Sequence, residues 1–510
     1  ILVSFFNTNS LKKNAQMTSV LPGLFKRLYN KLYYGVFNQP IPYPTYRTLD
    51  TAIRNYSILT DFQWIPQNTL DSSSLIHEKV LSEIDYPFNN LREFDNTSNW
   101  GIIIVSLTIA SKLLIGYKKV RIYENKLINM LRLQIRTDGG HIENSLLYHM
   151  HILICLLRLK YLYKKYNIDF PNEIDLFCRK MCTFVDKITP RDGYQIMYGD
   201  SDRTSTGTVL YLASRLYQEE FHSILHESFD YILCMELPDL IEEESKNVSI
   251  VKNNQNDLLD GIWCFSNNNF EVRVLNEVSD SGHKHADNGE VILYYQNKPV
   301  LIDCGRCTYF DSRRRYYRGP MAHNICLIDN GEEWASNGNW SFVYSPSNIT
   351  NERIVTKDFA REGYSGFICK YEFSKLHQSI CREFYISDEN VIVISKAIKK
   401  GKHLLQSIWN FSEDIEYTTD DLLGKIVGFS VDKIKMNTEQ LFLYHSGDVE
   451  IREGKISYHY NEECSYPNTQ LICSCDFVDS GFQIVVISTK EIDIKLFDEK
   501  IKIGSFVLEL

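Results

Sequence analysis

The sequence has no apolar run that reaches the roughly 20 residues a membrane-spanning helix needs. Its longest candidates, Gly101 to Ile115 and Met150 to Tyr163, are broken by Lys112 and by Arg158 and Lys160, so no transmembrane helix is expected. It has no internal repeat and no low-complexity tract, and its balance of apolar and charged residues removes collagen, coiled coil and disorder as descriptions of the whole chain. Nor is there a surplus of positive charge. The 55 Lys and Arg against 65 Asp and Glu leave a formal net charge of −10, which disfavours a nucleic-acid partner bound by bulk charge. The 13 cysteines are odd in number and irregular in spacing; they do not read as a secreted disulfide framework and fit reduced thiols. The chain begins at Ile1 rather than Met, so an upstream segment with any signal peptide is expected to lie outside this sequence.

What is present is a chain of 510 residues, 44% hydrophobic and 24% charged, long enough for two or three domains with real cores. Its 13% of aromatic residues suit sugar-stacking surfaces and aromatic cores equally. From about residue 20 to 235, apolar residues recur at spacings of three and four, as in Ile102, Ile103, Leu107, Ala110 and Leu114 or Leu146, Leu147, Met150, Leu153 and Leu157. That spacing predicts buried helix faces. Pro171 before an acidic stretch, and Thr189-Pro190-Arg191-Asp192-Gly193, read as helix starts or loops. The polar stretch from Ile241 to Asp257 reads as the boundary between a helical domain, residues 1–240, and a second domain, residues 260–510. Beyond it the texture changes to short β-branched and aromatic runs: Val291–Tyr295, Val300–Ile302, Phe384–Ile386, Val391–Ile394 and Ile484–Ile487. Many short strands without intervening helices predict an antiparallel β-sandwich.

Three clusters gather the side chains that do chemistry. Asn96-Thr97-Ser98-Asn99-Trp100 precedes an apolar helix, where Ser and Asn also serve as ordinary helix caps. Asp138-Gly139-Gly140-His141 leads through Glu143 and Ser145 to Tyr148, His149 and His151, a glycine turn and helix start with more histidine than a cap requires. The third cluster holds His283-Lys284-His285-Ala286-Asp287-Asn288-Gly289, Asp303-Cys304-Gly305, Arg313 to Arg318 and Ala322-His323-Asn324. In a strand His283 and His285 would share a face. With Asp303 and His323 they compose a first shell suited to a zinc-like ion, although surface histidines at a hairpin would look the same. Cys304 and Cys307 form a lone C-x-x-C beside it, which is weak support for a thiolate ligand.

Taken in order, Ser98-Asn99-Trp100, Asp138-Gly139-Gly140-His141 with Glu143, Ser145, Tyr148 and His149, His283-x-His285-x-Asp287-Asn288-Gly289, Asp303-x-Gly305 and Ala322-His323-Asn324 resemble the heparinase II/III-like polysaccharide lyases. The resemblance implies an incomplete α/α toroid followed by an antiparallel β-sandwich, and a carbon–oxygen lyase that cleaves a uronate-containing acidic polysaccharide by β-elimination. Only about 90 residues precede the Asn motif, so either a trimmed toroid or an incomplete chain is expected.

By the same resemblance Asn99 neutralises the substrate carboxylate, and Tyr148 and His283 transfer protons. His141 is implied as a second carboxylate donor, with Tyr316, Tyr317 and Arg318 contacting sugar. His285, Asp303 and His323 would hold a structural divalent metal, usually zinc. A tyrosine ordinarily titrates near pH 10, so a base role needs positive charge close by; Arg318 and Arg313 to Arg315 are the expected source, a solvated loop being the plainer reading of that run. Gly199-Asp200-Ser201-Asp202-Arg203 also echoes a family loop, read here as a turn held by Asp and Ser side chains. Two other functions remain: a metal-dependent glycan hydrolase using His285, Asp303 and His323 to activate water, and a glycan-binding or assembly protein without turnover. The resemblance implies the cell envelope or periplasm, whereas the unpatterned cysteines fit the cytoplasm; no nucleic acid is expected as a partner, and oligomeric state is not legible.

Overall fold

The computed structural model describes residues 47–63, 75–221, 253–278, 281–354, 363–418, 429–436, 439–461, 466–497, 500–504 and 506–509. The expected boundary segment at 241–257 lies outside the described residues up to residue 252. The helices are α1 (Thr48–Gln63), α2 (Leu75–Glu83), α3 (Tyr86–Asn89), α4 (Asn99–Leu114), α5 (Arg121–Gln134), α6 (Leu146–Lys165), α7 (Asn172–Ile188), α8 (Gly207–Tyr217) and the short α9 (Arg313–Arg318). The described residues fall into two compact units, one within residues 1–130 and 162–169 and the other within residues 131–161 and 170–510.

In the first unit α4 is apolar on nearly every side, and all residues from Gly101 to Leu113 are buried, as befits a helix that a core surrounds. Lys112, which interrupts the apolar run in the sequence, is buried too, its Nζ donating to Asp85 Oδ2 at 3.0 Å; a buried charge is tolerated only when so paired. Ser98 stands at the N-cap position but makes no side-chain capping bond. Gly101 is required because a Cβ there would lie 1.7 Å from the Asp95 carbonyl oxygen.

The two largest sheets of the second unit are antiparallel. The first runs in sequence order through β1 (Gln255–Leu258), β2 (Ile262–Ser266), β3 (Phe270–Leu275), β4 (Glu290–Tyr295) and β5 (Lys298–Leu301). The second orders its strands as Ile415–Thr418, Phe429–Met436, Glu439–Ser446, Tyr466–Ser488, Asn390–Asn410, Gln378–Ile386, Ser365–Phe373 and Ser347–Ile354, with Cys326–Ile328 and Asp448–Ile456 attached. One apolar core joins them, with Trp263, Val272 and Leu293 from the first sheet against Phe367, Phe384, Val393, Trp409 and Leu471 from the second. That is the packing expected of a sandwich.

Every residue of β2, β3 and β4 is buried, so these strands show continuous rather than alternating hydrophobicity, as strands covered on both faces do. On the face of β3 opposite the shared core, buried Arg273 donates to the carbonyl oxygens of Ile188 at 2.9 Å and Thr189 at 3.2 Å. This pins the end of α7 to the sheet. Each strand run named from the sequence falls in or overlaps one of these strands, and the Pro171 helix start is α7. Each described cysteine is free, and no helix among the described residues is long and apolar enough to cross a membrane.

Candidate active site

His283 and His285 do not lie on a strand: residues 281–289 are a loop of turns leading into β4. Gly289 at φ +74° and the turn bonds Lys284 N to Ser281 O at 3.1 Å and Glu290 N to Asp287 O at 3.2 Å keep the segment from extending. The two imidazoles are brought together by a carboxylate instead. Asp200 is fully buried and accepts from His283 Nδ1 at 2.7 Å, His285 Nε2 at 2.9 Å and both Nη atoms of Arg314, the Nη2 to Oδ2 bond being 3.0 Å. Burial alone would raise the Asp200 pKa, but hydrogen bonds from His283 and His285 and the charge of Arg314 hold it well below the usual carboxylate range. The turn role read for this loop falls to Ser201, whose Oγ donates to Tyr198 O at 2.6 Å; Asp200 is the centre of the site.

Gly199 allows that placement. Its φ is +58°, and a Cβ there would meet the Asn144 carbonyl oxygen at 2.2 Å and that of His283 at 2.9 Å, both backbone atoms that cannot swing away. Gly199→Ala is expected to cost about 1–3 kcal/mol, the usual range for overpacking, and to lower activity by displacing Asp200; thermal unfolding and turnover together check it.

Nδ1 of the His283 ring is engaged by the Asp200 carboxylate, and Nε2 faces Glu143 Oε2 at 3.8 Å. Tyr148, from the first turn of α6, lies against that ring with centroids 4.0 Å apart. Its hydroxyl is 2.8 Å from that of Tyr309, which in turn receives Arg306 Nη1 at 2.7 Å. The indole of Trp340, half exposed, stands edge-on to His283 at 6.2 Å and 5.1 Å from Tyr309. Burial raises the Tyr148 pKa; the Tyr309 hydrogen bond and the charge of Arg306 oppose it. The expected source of positive charge is thus corrected. In α9, Arg313 is exposed and paired with Asp311 at 2.7 Å, Arg314 is spent on Asp200, and Arg318 donates to the carbonyl oxygens of Lys284 and Ser341 at 3.1 and 3.0 Å.

His285, Asp303 and His323 meet as anticipated: each can offer a ligand atom within 4.8 Å of the others, and all three are buried. Their donor chemistry fits a cation. His285 uses Nε2 on Asp200, and His323 uses Nδ1 on Asp303 Oδ2 at 3.1 Å, which leaves His285 Nδ1 and His323 Nε2 buried with no hydrogen-bond partner. Such orphaned nitrogens require explanation, and a metal ion supplies one. Burial pulls the His285 pKa down to about 3, so that ring is neutral as a metal ligand must be. At His323 burial is overcome by Asp303 and Glu290, which push the pKa up, so an ion there would displace a proton from it. Among the described residues no thiol joins this group.

Asn99 begins α4 of the first compact unit and is buried. His141 is buried, with Nε2 2.9 Å from Gln134 Oε1 and Nδ1 accepting from Glu143 N at 3.3 Å. Tyr317 belongs to an apolar core, and the Tyr316 hydroxyl accepts from Lys455 N at 3.1 Å. Tyr309, Arg306 and Trp340 were not marked by any motif; only the aromatic surplus hinted at the Tyr and the Trp.

The fold of this chain is similar to that of several solved polysaccharide lyases. Heparinase III is similar to this chain with a TM-score of 0.74 and 15% identity, over 95% of this chain and 79% of that one. Heparan sulfate lyase from Pedobacter heparinus gives 0.64 and 16%, over 91% and 74%; chondroitin AC lyase from Streptomyces coelicolor A3 gives 0.55 and 9%, over 91% and 72%. Residues 261–486 match the family described as heparinase II/III-like, C-terminal. The match covers the sheet-bearing part of the chain, including the motifs from His283 to Asn324, and is what the resemblance read from those motifs anticipates. A search among curated protein sequences finds no match.

Proposed function

We propose that the protein is a carbon–oxygen lyase that cleaves a uronate-containing acidic polysaccharide by β-elimination. The observation that carries this reading is the Tyr148 and His283 pair, with ring centroids 4.0 Å apart and His283 Nδ1 held by Asp200 at 2.7 Å. The C5 proton of the uronate passes to one of these two groups, and the electron pair it leaves becomes the C4–C5 double bond. The bond from C4 to the bridging oxygen breaks, and that oxygen takes a proton from the other group or from the same one. Charge grows on the sugar carboxylate meanwhile, and a placed donor there is worth roughly 3–4 kcal/mol. The motif assigns that donor role to Asn99.

The reading takes residues 1–240 as an α/α toroid-like part and residues 260–510 as the sandwich, and places the protein in the cell envelope. His141, Tyr316, Tyr317 and Arg318 keep their sugar-binding assignment by motif alone. His285, Asp303 and His323 would hold zinc, whose preference for nitrogen and carboxylate donors they match. The ion would supply a fixed charge that ties the 281–289 loop to β5 and its following turn. His285 and His323 are 0% exposed, which favours this structural role over a hydrolase with an open metal position. Elemental analysis of purified protein is expected to find about one divalent ion per chain, and its removal to lower the melting temperature, since an ion bound only to the native state stabilises it. Metal-free protein of unchanged melting temperature would refute the site.

Incubation with heparan sulfate, alginate, chondroitin sulfate and bacterial capsular uronans, followed in the ultraviolet, tests the activity. A lyase generates absorbance from the 4,5-unsaturated end, a hydrolase new ends without it, and a binding protein neither.

A further inference from the structure

Tyr148 does not stand alone: a chain of directed hydrogen bonds ends on its oxygen. Arg306 is clamped by Asp202, with Nε to Oδ1 at 2.7 Å and Nη2 to Oδ2 at 2.8 Å, and its remaining Nη1 donates to the Tyr309 hydroxyl at 2.7 Å. A guanidinium can only donate. Tyr309 therefore accepts from Arg306, and its own polarised O–H is the hydrogen free for the Tyr148 oxygen 2.8 Å away. Once Tyr148 is a phenolate no other arrangement satisfies the pair.

We propose that Tyr309 is a positioning residue that relays the charge of Arg306 to the Tyr148 oxygen, making that oxygen the proton acceptor of the elimination. The inference rests on the lyase reading for its catalytic meaning, but its geometry does not. Tyr309 also contacts Trp340 and Tyr460 through its ring, each at 5.1 Å between centroids, so Tyr309→Phe can keep the packing while deleting the relay. The groups acting on Tyr148 are unequal: burial, Asp200 and Glu143 disfavour the phenolate, Tyr309 and Arg306 favour it, and the rings of His283 and His151 stand beside it.

The test replaces Tyr148 with 3,5-difluorotyrosine, whose more acidic phenol titrates where proteins stay folded, and follows the fluorine resonance against pH with Tyr or Phe at position 309. Tyr309→Phe is expected to move the Tyr148 titration to higher pH. In the unlabelled enzyme it should lower kcat about ten- to a hundredfold, as for loss of one hydrogen bond to a charged group, with KM nearly unchanged and the pH at which kcat rises displaced the same way. Arg306→Lys, which keeps the charge, should restore part of the shift seen in Arg306→Gln. A fluorine titration that Tyr309→Phe leaves unmoved would overturn the relay. If no polymer yields unsaturated product the lyase reading fails, while the fluorine titration still decides the relay.

Discussion

Tyr148→Phe should reduce turnover by about 10²–10⁴-fold, the range for loss of a positioned proton-transfer group, and leave the fold intact. The ring is what packs: its face lies 4.0 Å from that of His283, and the side chain is partly buried in a site that Phe fills equally well. The hydroxyl makes one contact, to Tyr309 at 2.8 Å, so the stability change should stay near 1 kcal/mol, the net worth of an ordinary hydrogen bond. KM should change little, because the lost oxygen acts on a proton that moves only in the transition state. His283→Ala is the contrasting case. It removes the ring that stacks on Tyr148 and the donor to Asp200, and both turnover and stability should fall. Activity within a few fold of wild type in Tyr148→Phe would exclude Tyr148 as a proton-transfer group; an unfolded Tyr148→Phe would contradict the packing.

The sequence announced its elements where hydrophobicity speaks locally. Ile102 to Leu113 reads as a buried helix because no face of it is polar, and Val391–Ile394 or Ile484–Ile487 read as strands because consecutive β-branched residues suit a covered sheet. The metal group was legible as well, through a motif order rather than through any spacing. What failed were inferences about direction. Two histidines at i and i+2 would share a face only in a strand, yet Gly282 and Asn288-Gly289 flank them with turn residues, and period two argued from two positions has no strength against that. The Arg313 to Arg318 run was read as a block of charge, but it is a helix, and a helix distributes six residues around its circumference: Arg314, Tyr317 and Arg318 turn inward while Arg313 and Arg315 meet solvent. Asp200 lies 83 residues from His283 in the chain, and Tyr309 lies 161 from Tyr148. Contacts closed over such distances are set by the packing of the whole unit, and a single sequence carries no local trace of them.

The largest loss of stability is expected from Asp200→Asn, although the side chain hardly changes shape. Asp200 neutralises Arg314, whose guanidinium is fully buried, and it holds His283 and His285 at the same time. Asparagine presents one oxygen and an NH2 group to a surrounding made entirely of donors, so at least one N–H would face another, and the Arg314 charge would have no counterion. Breaking a buried ion pair by removing one partner costs roughly 3–5 kcal/mol, whereas deleting both can be nearly neutral. Denaturant unfolding of Asp200→Asn should therefore show a loss in that range, and Asp200→Asn combined with Arg314→Met should lose less than the sum of the two single variants, the coupling expected of partners that share one buried charge. Turnover should fall further than stability alone accounts for, since His283 loses the carboxylate that orients its ring. Additive losses, or an Asp200→Asn protein as stable as wild type, would mean that Arg314 finds its compensation elsewhere and that the carboxylate is not the keystone of this site.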